Sequence, residues 1–485
     1  MRIINCAPIK FFFPTLILLI SAFNVQSAID YPLVEWTVPS AKFADLNLDS
    51  QKIADLAQGG QFLIVSYPQD FTSWNARTKK NQDFKNQKVI YAATVIDAPA
   101  DEIREMVWDM GSQGDYSPLL SKTKNIRTEG NSRIASMNQI IKLTIIKLNS
   151  DFVVQIDKLD NGDIGMVLID EGDVESLYQY WEFFPLDDNK TLTVLSGWQD
   201  TDSASFMYKT VLEAEPSIGK VFPVLTMYER LVQFKNEAAK RHPEIAQQVD
   251  NKHYDIRSIN GYLSDNDGLD LQELKKLTQL GSIQLYQTSR ILSYKDELHD
   301  IIQVTAIAHV PLAKETIRPL LNDFSSVPEY NDLTRGWLTP KTMGEDWGHL
   351  QIGANIGPIF IPVEIYPVLE NQNSDKMNFY VSDHSYMSPL FGHIEHIEMP
   401  SGSSQNGAVD DGAVENGTIV EWTIGGVIGP DASFIFKMAR YLPFHDVLIV
   451  AAYAMLCAEN MGDWVEQRVA QDVAKLEVQK VADTF

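Results

Sequence analysis

Leu48-Asp49-Ser50-Gln51, followed by apolar Ile53 and Leu56 and closed by Gly59-Gly60, returns later as Leu269-Asp270-Leu271-Gln272, with Leu274 and Leu277, closed by Gly281. The offset is 269 − 48 = 221 residues. Further on, Ile103, Asp109, Ser112, Tyr116 and Leu119 are echoed by Ile317, Asp323, Ser326, Tyr330 and Leu333, at 330 − 116 = 214. Val154-Gln155-Ile156 lines up with Val363-Glu364-Ile365 at 363 − 154 = 209. A solenoid repeats every 20–50 residues or so, whereas a period above two hundred is the length of a domain. The chain of 485 residues therefore reads as a duplicated domain, and its function is to be sought in something one copy can do.

Each copy has the same order of elements. Residues 29–45 are an extended lead-in and 48–58 a short amphipathic helix. Phe62-Leu63-Ile64-Val65 reads as a strand, 68–87 as a polar connection, and Lys88–Ile96 as a second strand. Asp97-Ala98-Pro99-Ala100-Asp101-Glu102 starts a helix that turns Ile103, Val107 and Met110 inward and ends at Gly111 and Gly114. Alternating runs follow. Met137, Ile141, Leu143 and Ile145 share one face, as do Phe152, Val154 and Ile156, and further strands fall near 164–169, 176–184 and 191–198. A long helix from about Pro223 to Lys240 closes the copy, its apolar face including Leu225, Tyr228, Leu231 and Phe234. The reading is α+β, with domains at 29–242 and 267–485 and a polar, protease-sensitive linker at 243–266 between separately folding halves. In copy two, Ser401–Gly417 reads as a mobile hairpin loop.

Residues 1–28 are expected to be a signal peptide, with basic Arg2 and Lys10, an apolar Phe11–Phe23 and small residues at Ser27-Ala28. Export follows: to the periplasm in a Gram-negative cell, otherwise to the medium. Removing that segment takes away two cations, leaving a net charge of 38 − 65 = −27. Such an acidic protein is repelled by phosphate backbones and anionic membranes, so no nucleic-acid partner is expected. No stable membrane span is expected after cleavage, because the apolar run Val447–Ala458 suits a core helix. Cys457, the one cysteine left, reads as a small buried hydrophobe within it.

The passage Val95-Ile96-Asp97-Ala98-Pro99-Ala100-Asp101-Glu102-Ile103, Val107-Trp108-Asp109-Met110 and Tyr116-Ser117-Pro118 resembles the opening of START-like domains, the polyketide-cyclase and birch-pollen-allergen superfamily with the helix-grip fold. Trp181-Glu182-Phe183-Phe184-Pro185 with Thr191-Leu192-Thr193-Val194 is similar to the family's paired late strands. Copy two matches more loosely through Leu320-Leu321-Asn322-Asp323-Phe324, Pro328-Glu329-Tyr330 and Thr418-Ile419-Val420-Glu421-Trp422. The resemblance implies two curved antiparallel sheets, each gripping a long C-terminal helix around a cavity for an apolar small molecule or lipid. Candidates to line it are Tyr116, Met137, Ile141, Val154, Trp181 and Phe183 in copy one, and Tyr330, Val363, His396 and Trp422 in copy two.

Catalytic signals are sparse. There is no phosphate-cradling glycine loop, nucleophile elbow or metal-spaced Cys/His set. His393-Ile394-Glu395-His396 lies in a strand context, which points the two histidines to opposite faces. Aligning Pro400 with Pro185 sets them opposite Tyr178 and Trp181 of copy one. Glu364 reads as a solvated strand residue. No cofactor and no metal is expected. The favoured reading is a non-catalytic binding or transfer protein. The alternatives are a cyclase- or dehydratase-type enzyme working through His393, His396 or Tyr366, and a scaffold with filled cavities.

Overall fold

A computed structural model of the chain describes residues 30–482 apart from 39–41, 47, 59–60, 144–145, 171, 205–208, 210–215, 246–252, 256–270, 295, 339–347, 357–358, 382–385, 400–416, 430–431 and 433–444. The expected signal peptide, most of the expected linker and nearly all of the 401–417 loop lie outside the described residues.

Copy one runs α1 (Ser50–Leu56), β1 (Gln61–Asn75), β2 (Lys80–Ile96), α2 (Ala100–Trp108), α3 (Met110–Gln113), β3 (Leu120–Glu129), β4 (Ser132–Leu143), β5 (Ile146–Lys158), β6 (Ile164–Asp170), β7 (Leu177–Asp187), β8 (Lys190–Gln199) and α4 (Pro216–Arg241). Its strands pair in the order β1-β2-β8-β7-β6-β5-β4-β3, so the last strand of the meander returns beside β2. A short strand, β9 (His253–Asp255), falls inside the expected linker. Copy two repeats the plan with α5 (Leu271–Leu280), β10 (Ser282–Tyr294), β11 (Glu297–Val310), α6 (Lys314–Leu321), α7 (Val327–Tyr330), β12 (Thr334–Leu338), β13 (His349–Ile356), β14 (Ile359–Ile365), β15 (Pro367–Glu370), β16 (Lys376–Val381), β17 (Met387–Glu398), β18 (Thr418–Ile428) and α8 (His445–Ala482). Here the equivalent of β5 is broken at Tyr366, so β12-β13-β14 form a separate three-stranded sheet.

Two expectations are corrected. Residues 68–87 are not a connection but the outer half of a long β1–β2 hairpin, in register from Phe71↔Phe84 to Asn75↔Lys80. Polar residues on a protruding hairpin hid it, and the stacked Phe71 and Phe84 rings, 5.7 Å apart, hold it to the sheet. The closing helix of copy one starts at Pro216 and carries Pro223 inside it.

The halves are joined edge to edge. β1 pairs antiparallel with β10 from Gln61↔Gln287 to Ser66↔Ser282, making one 15-stranded sheet. Phe62, Leu63, Ile64 and Val65 are all buried because both faces of the seam are covered. On one face Leu63 and Val65 share a core with Ile53 and Leu56 of α1 and Leu274 and Leu277 of α5. On the other, Phe62 meets Tyr228 of α4 edge-on at 5.1 Å, and Tyr228 stacks on Tyr286 of copy two at 4.8 Å. Gly281, which ends the repeated opening motif, is required there: a Cβ would lie 1.7 Å from the Ser66 carbonyl oxygen. An open strand edge is a pairing hazard, and each copy here covers the other's.

Candidate functional site

In copy one the sheet curls around α4 and leaves a cavity of about 350 Å³ between them. That is at the lower end of the roughly 300–1,000 Å³ range of small-molecule sites. Its apolar wall comes from Ile90 of β2, Leu120 of β3, Met137 of β4, Phe152 of β5, Leu177 of β7 and Met227 of α4. Strand alternation places these residues inward, while the outward set (Val89, Tyr91, Leu192 and Val194) packs under α1. The polar wall comes from Lys88, Gln179, Glu229, Arg230 and, from α8 of the other copy, Glu459. Lys88 and Glu459 pair across the two copies at 3.0 Å. Burial pushes the Glu229 carboxyl up to about 7, against the hydrogen bond it accepts from Gln233 Nε2 at 2.6 Å.

Among the described residues, copy two shows an apolar void of about 20 Å³, lined by residues including Phe324, Phe379, Trp422 and Tyr453. That is about the space of one water. Strand pairing explains the difference. Ile394↔Trp422 in copy two occupies the place of Trp181↔Leu195 in copy one, and Phe379↔Gly392 that of Met166↔Gln179. Trp422 thus replaces Leu195, and Phe379 replaces Met166. Gln179, which lines the open cavity, becomes Gly392, whose missing side chain makes room for the Phe379 ring: a Cβ would lie 2.2 Å from its Cζ.

The same pairing shifts one sequence alignment. His393 and His396 correspond to Tyr180 and Phe183 (393 − 180 = 396 − 183 = 213), not to Tyr178 and Trp181. Aligning the two prolines misled because β7 carries a register shift between Pro185 and Asp187. β17 is a strand through both histidines, and their side chains do point to opposite faces. On the inner face His396 Nε2 meets Asn322 Oδ1 at 3.0 Å, and burial draws the imidazole down to about 4. On the outer face His393 Nε2 is 3.1 Å from Glu421 Oε1.

The candidate lining residues fall in different places. Met137 is on the wall of the open cavity and Trp422 on that of the small void. Tyr116 is half-buried beside the cavity-lining Ser117, with its ring edge-on to Phe234 at 5.9 Å. Val154, Trp181 and Phe183 are packed in the copy-one core, with Trp181 edge-on to Phe234 at 5.0 Å. Tyr330 is buried against Trp422 and Trp464. The side chains of Ile141 and Val363 lie outside the described residues.

Sequence reading missed Arg230 and Glu229. The signal for Arg230 was its spacing, since Met227, Arg230 and Phe234 form one stripe on α4. Tyr366 stacks on His349 at 4.7 Å, and Glu364 is no free surface acid, being bonded by His349 and by Gln351 at 2.8 Å. Cys457 is buried and accepts from Asn331 Nδ2 at 3.1 Å, and burial raises its thiol well above the usual range.

Among the described residues, His393, Glu395 and Glu421 bring metal-ligand atoms within 4.8 Å of one another. The set is already engaged, because Thr423 Oγ1 donates to Glu421 at 3.0 Å and Lys376 lies 3.5 Å from Glu395. It reads as a buried polar network. No helix among the described residues is long and apolar enough to cross a membrane.

Each copy is thus a two-strand hairpin, two short helices, a run of antiparallel strands whose last member returns beside the second strand of the hairpin, and a long helix; in copy two that run is split between two sheets. The chain is a tandem of two helix-grip α+β folds. The arrangement rests on this element order. Among solved structures, the chain is similar to the di-domain ARO/CYC StfQ from the steffimycin biosynthetic pathway, at 10% identity over 78% of this chain and 99% of that one, with a TM-score of 0.25. It is also similar to the di-domain ARO/CYC BexL from the BE-7585A biosynthetic pathway, at 10% identity, 77% and 98% coverage and a TM-score of 0.24. A START superfamily protein from Mycobacterium smegmatis matches at 13% identity, 32% and 98% coverage and a TM-score of 0.26. No protein-family model and no curated protein matches the chain.

Proposed function

We propose that the protein is exported and binds or carries an apolar small molecule or lipid in copy one, with copy two as a closed structural partner. The observation that carries this reading is the cavity of about 350 Å³ between α4 and the sheet of copy one, set beside a void of about 20 Å³ among the described residues of copy two. Export is supported by the sequence of residues 1–28.

The test is to fill the space. Leu120→Trp places an indole into the copy-one cavity and is expected to weaken binding of an apolar fluorescent probe about tenfold or more, with the melting temperature nearly unchanged. Undiminished probe binding in Leu120→Trp would place the ligand elsewhere. Extracting the purified protein and analysing the extract by mass spectrometry identifies any lipid carried along.

One feature favours the enzyme alternative, namely that burial raises the Glu229 carboxyl to about 7 on the wall of the same cavity. A carboxyl at about 7 is suited to proton transfer. It also affects stability. With its pKa raised from the ordinary 4.5, Glu229 holds a proton in the folded state that the unfolded chain releases, so folding loses stability as pH rises from about 4.5 to about 7. Glu229→Gln is expected to flatten that slope by up to about 3 kcal/mol in urea melts. Depressed His396 acts with the opposite sign between about 6.5 and 4, so the variant, not the wild-type profile, decides. A slope unchanged by Glu229→Gln would show that this carboxyl is not held neutral.

A further inference from the structure

The copy-one cavity carries a cation, Arg230, that no carboxylate bonds among the described residues. Arg230 lies deep between α4 and the sheet, its guanidinium carbon 5.8 Å from the centre of the Trp181 ring, yet it keeps accessible surface because it faces the cavity. Its Nη2 donates to Gln113 Oε1 at 3.0 Å. Gln113 is itself fixed, since its Nε2 donates to the Met106 and Val107 carbonyls at the end of α2. The amide oxygen is thereby aimed at the guanidinium. No other bond to Arg230 is made among the described residues, and its buried Nε has no acceptor. The Tyr116 hydroxyl, which feels the Arg230 charge, is also buried without a partner.

The two carboxylates on the cavity wall are engaged elsewhere: Glu459 is paired with Lys88, and Glu229 is turned to Gln233, its carboxyl raised by burial to about 7. Burial draws the guanidinium down only to about 10, so it stays charged at neutral pH. A buried charge is costly unless something pairs with it. Guanidinium matches carboxylate geometry particularly well.

We propose that the cavity takes an amphiphile, its apolar chain against Leu120, Met137, Phe152 and Met227 and its anionic head, a carboxylate, on Arg230 beside Tyr116. This rests on the cavity-binding reading above and narrows its ligand class. It also accounts for an acidic protein taking up an anion, because Arg230 sits inside the cavity and the surface charge is screened by salt over about 10 Å.

The experiment uses the purified protein without its signal segment and three twelve-carbon probes measured by titration calorimetry: dodecanoate, methyl dodecanoate and dodecyl phosphate. Dodecanoate is expected to bind about tenfold or more tighter than its methyl ester. Arg230→Gln should abolish that preference while keeping ester binding, and Arg230→Lys should keep part of it. Equal affinity of acid and ester, or a preference that survives Arg230→Gln, overturns the proposal. Tighter binding of dodecyl phosphate than of dodecanoate overturns the carboxylate assignment. Ester binding without acid preference leaves the cavity reading standing alone, whereas binding of none of the three overturns both. Should Arg230→Gln fail to fold, the wild-type comparison and Arg230→Lys still decide.

Discussion

Replacing Trp422 by alanine is expected to cost about 3–5 kcal/mol of stability while leaving probe binding in copy one unchanged. Trp422 is fully buried at the centre of the copy-two interior. Its ring lies 5.8 Å from that of Phe324, 6.4 Å from Phe379, 6.3 Å from Tyr330 and 6.2 Å from Tyr453. Four rigid aromatics around one indole cannot close the space it leaves, so the cavity cost adds to the lost transfer energy. Urea denaturation measures the loss. A cost below about 1 kcal/mol would mean that copy two is not the packed body described. A new high-affinity probe site in Trp422→Ala would show the reverse of filling, an opened cavity where copy one already has one.

Placing a charge in the seam is expected to be as damaging. Ile64 is buried in β1 and contributes to the core on the helix side of the sheet. Ile64→Asp buries a carboxylate among apolar side chains, at about 3–5 kcal/mol. Because β1 pairs with β10, the damage is expected to reach both copies, so that their melting transitions shift together. For the same reason, cutting the chain between 243 and 266 is expected to give two fragments that elute together in gel filtration. Fragments that separate and stay folded would show that the β1–β10 edge is dispensable and that the copies are independent bodies.

The duplication and the α+β class were legible because they depend on local order. Hairpin turns, period-two alternation and the helix start at Asp97–Glu102 are properties of neighbouring residues, and they recur in both halves. That His393 and His396 face apart was legible too, since it needs only a strand assignment. The β1–β2 hairpin beyond Pro68 was not legible, because its residues are polar and are held by pairing with each other, from Phe71↔Phe84 outward.

By itself the sequence determined two copies of one fold, the apolar face of each strand and the long closing helix, all set by periodicity within a few residues. Only the tertiary structure showed the cavity of copy one and the filled space among the described residues of copy two. That depends on register across strands: a two-residue difference in how β17 corresponds to β7, Gly392 where copy one has Gln179, and Trp422 where it has Leu195. It also decided that Arg230 is interior. On the helix Arg230 sits on the stripe of Met227 and Phe234, but whether that stripe meets side chains or a cavity is set by how far the sheet curls away from α4. That distance is fixed by contacts far apart in the chain, such as Tyr228 on Tyr286 and Lys88 on Glu459.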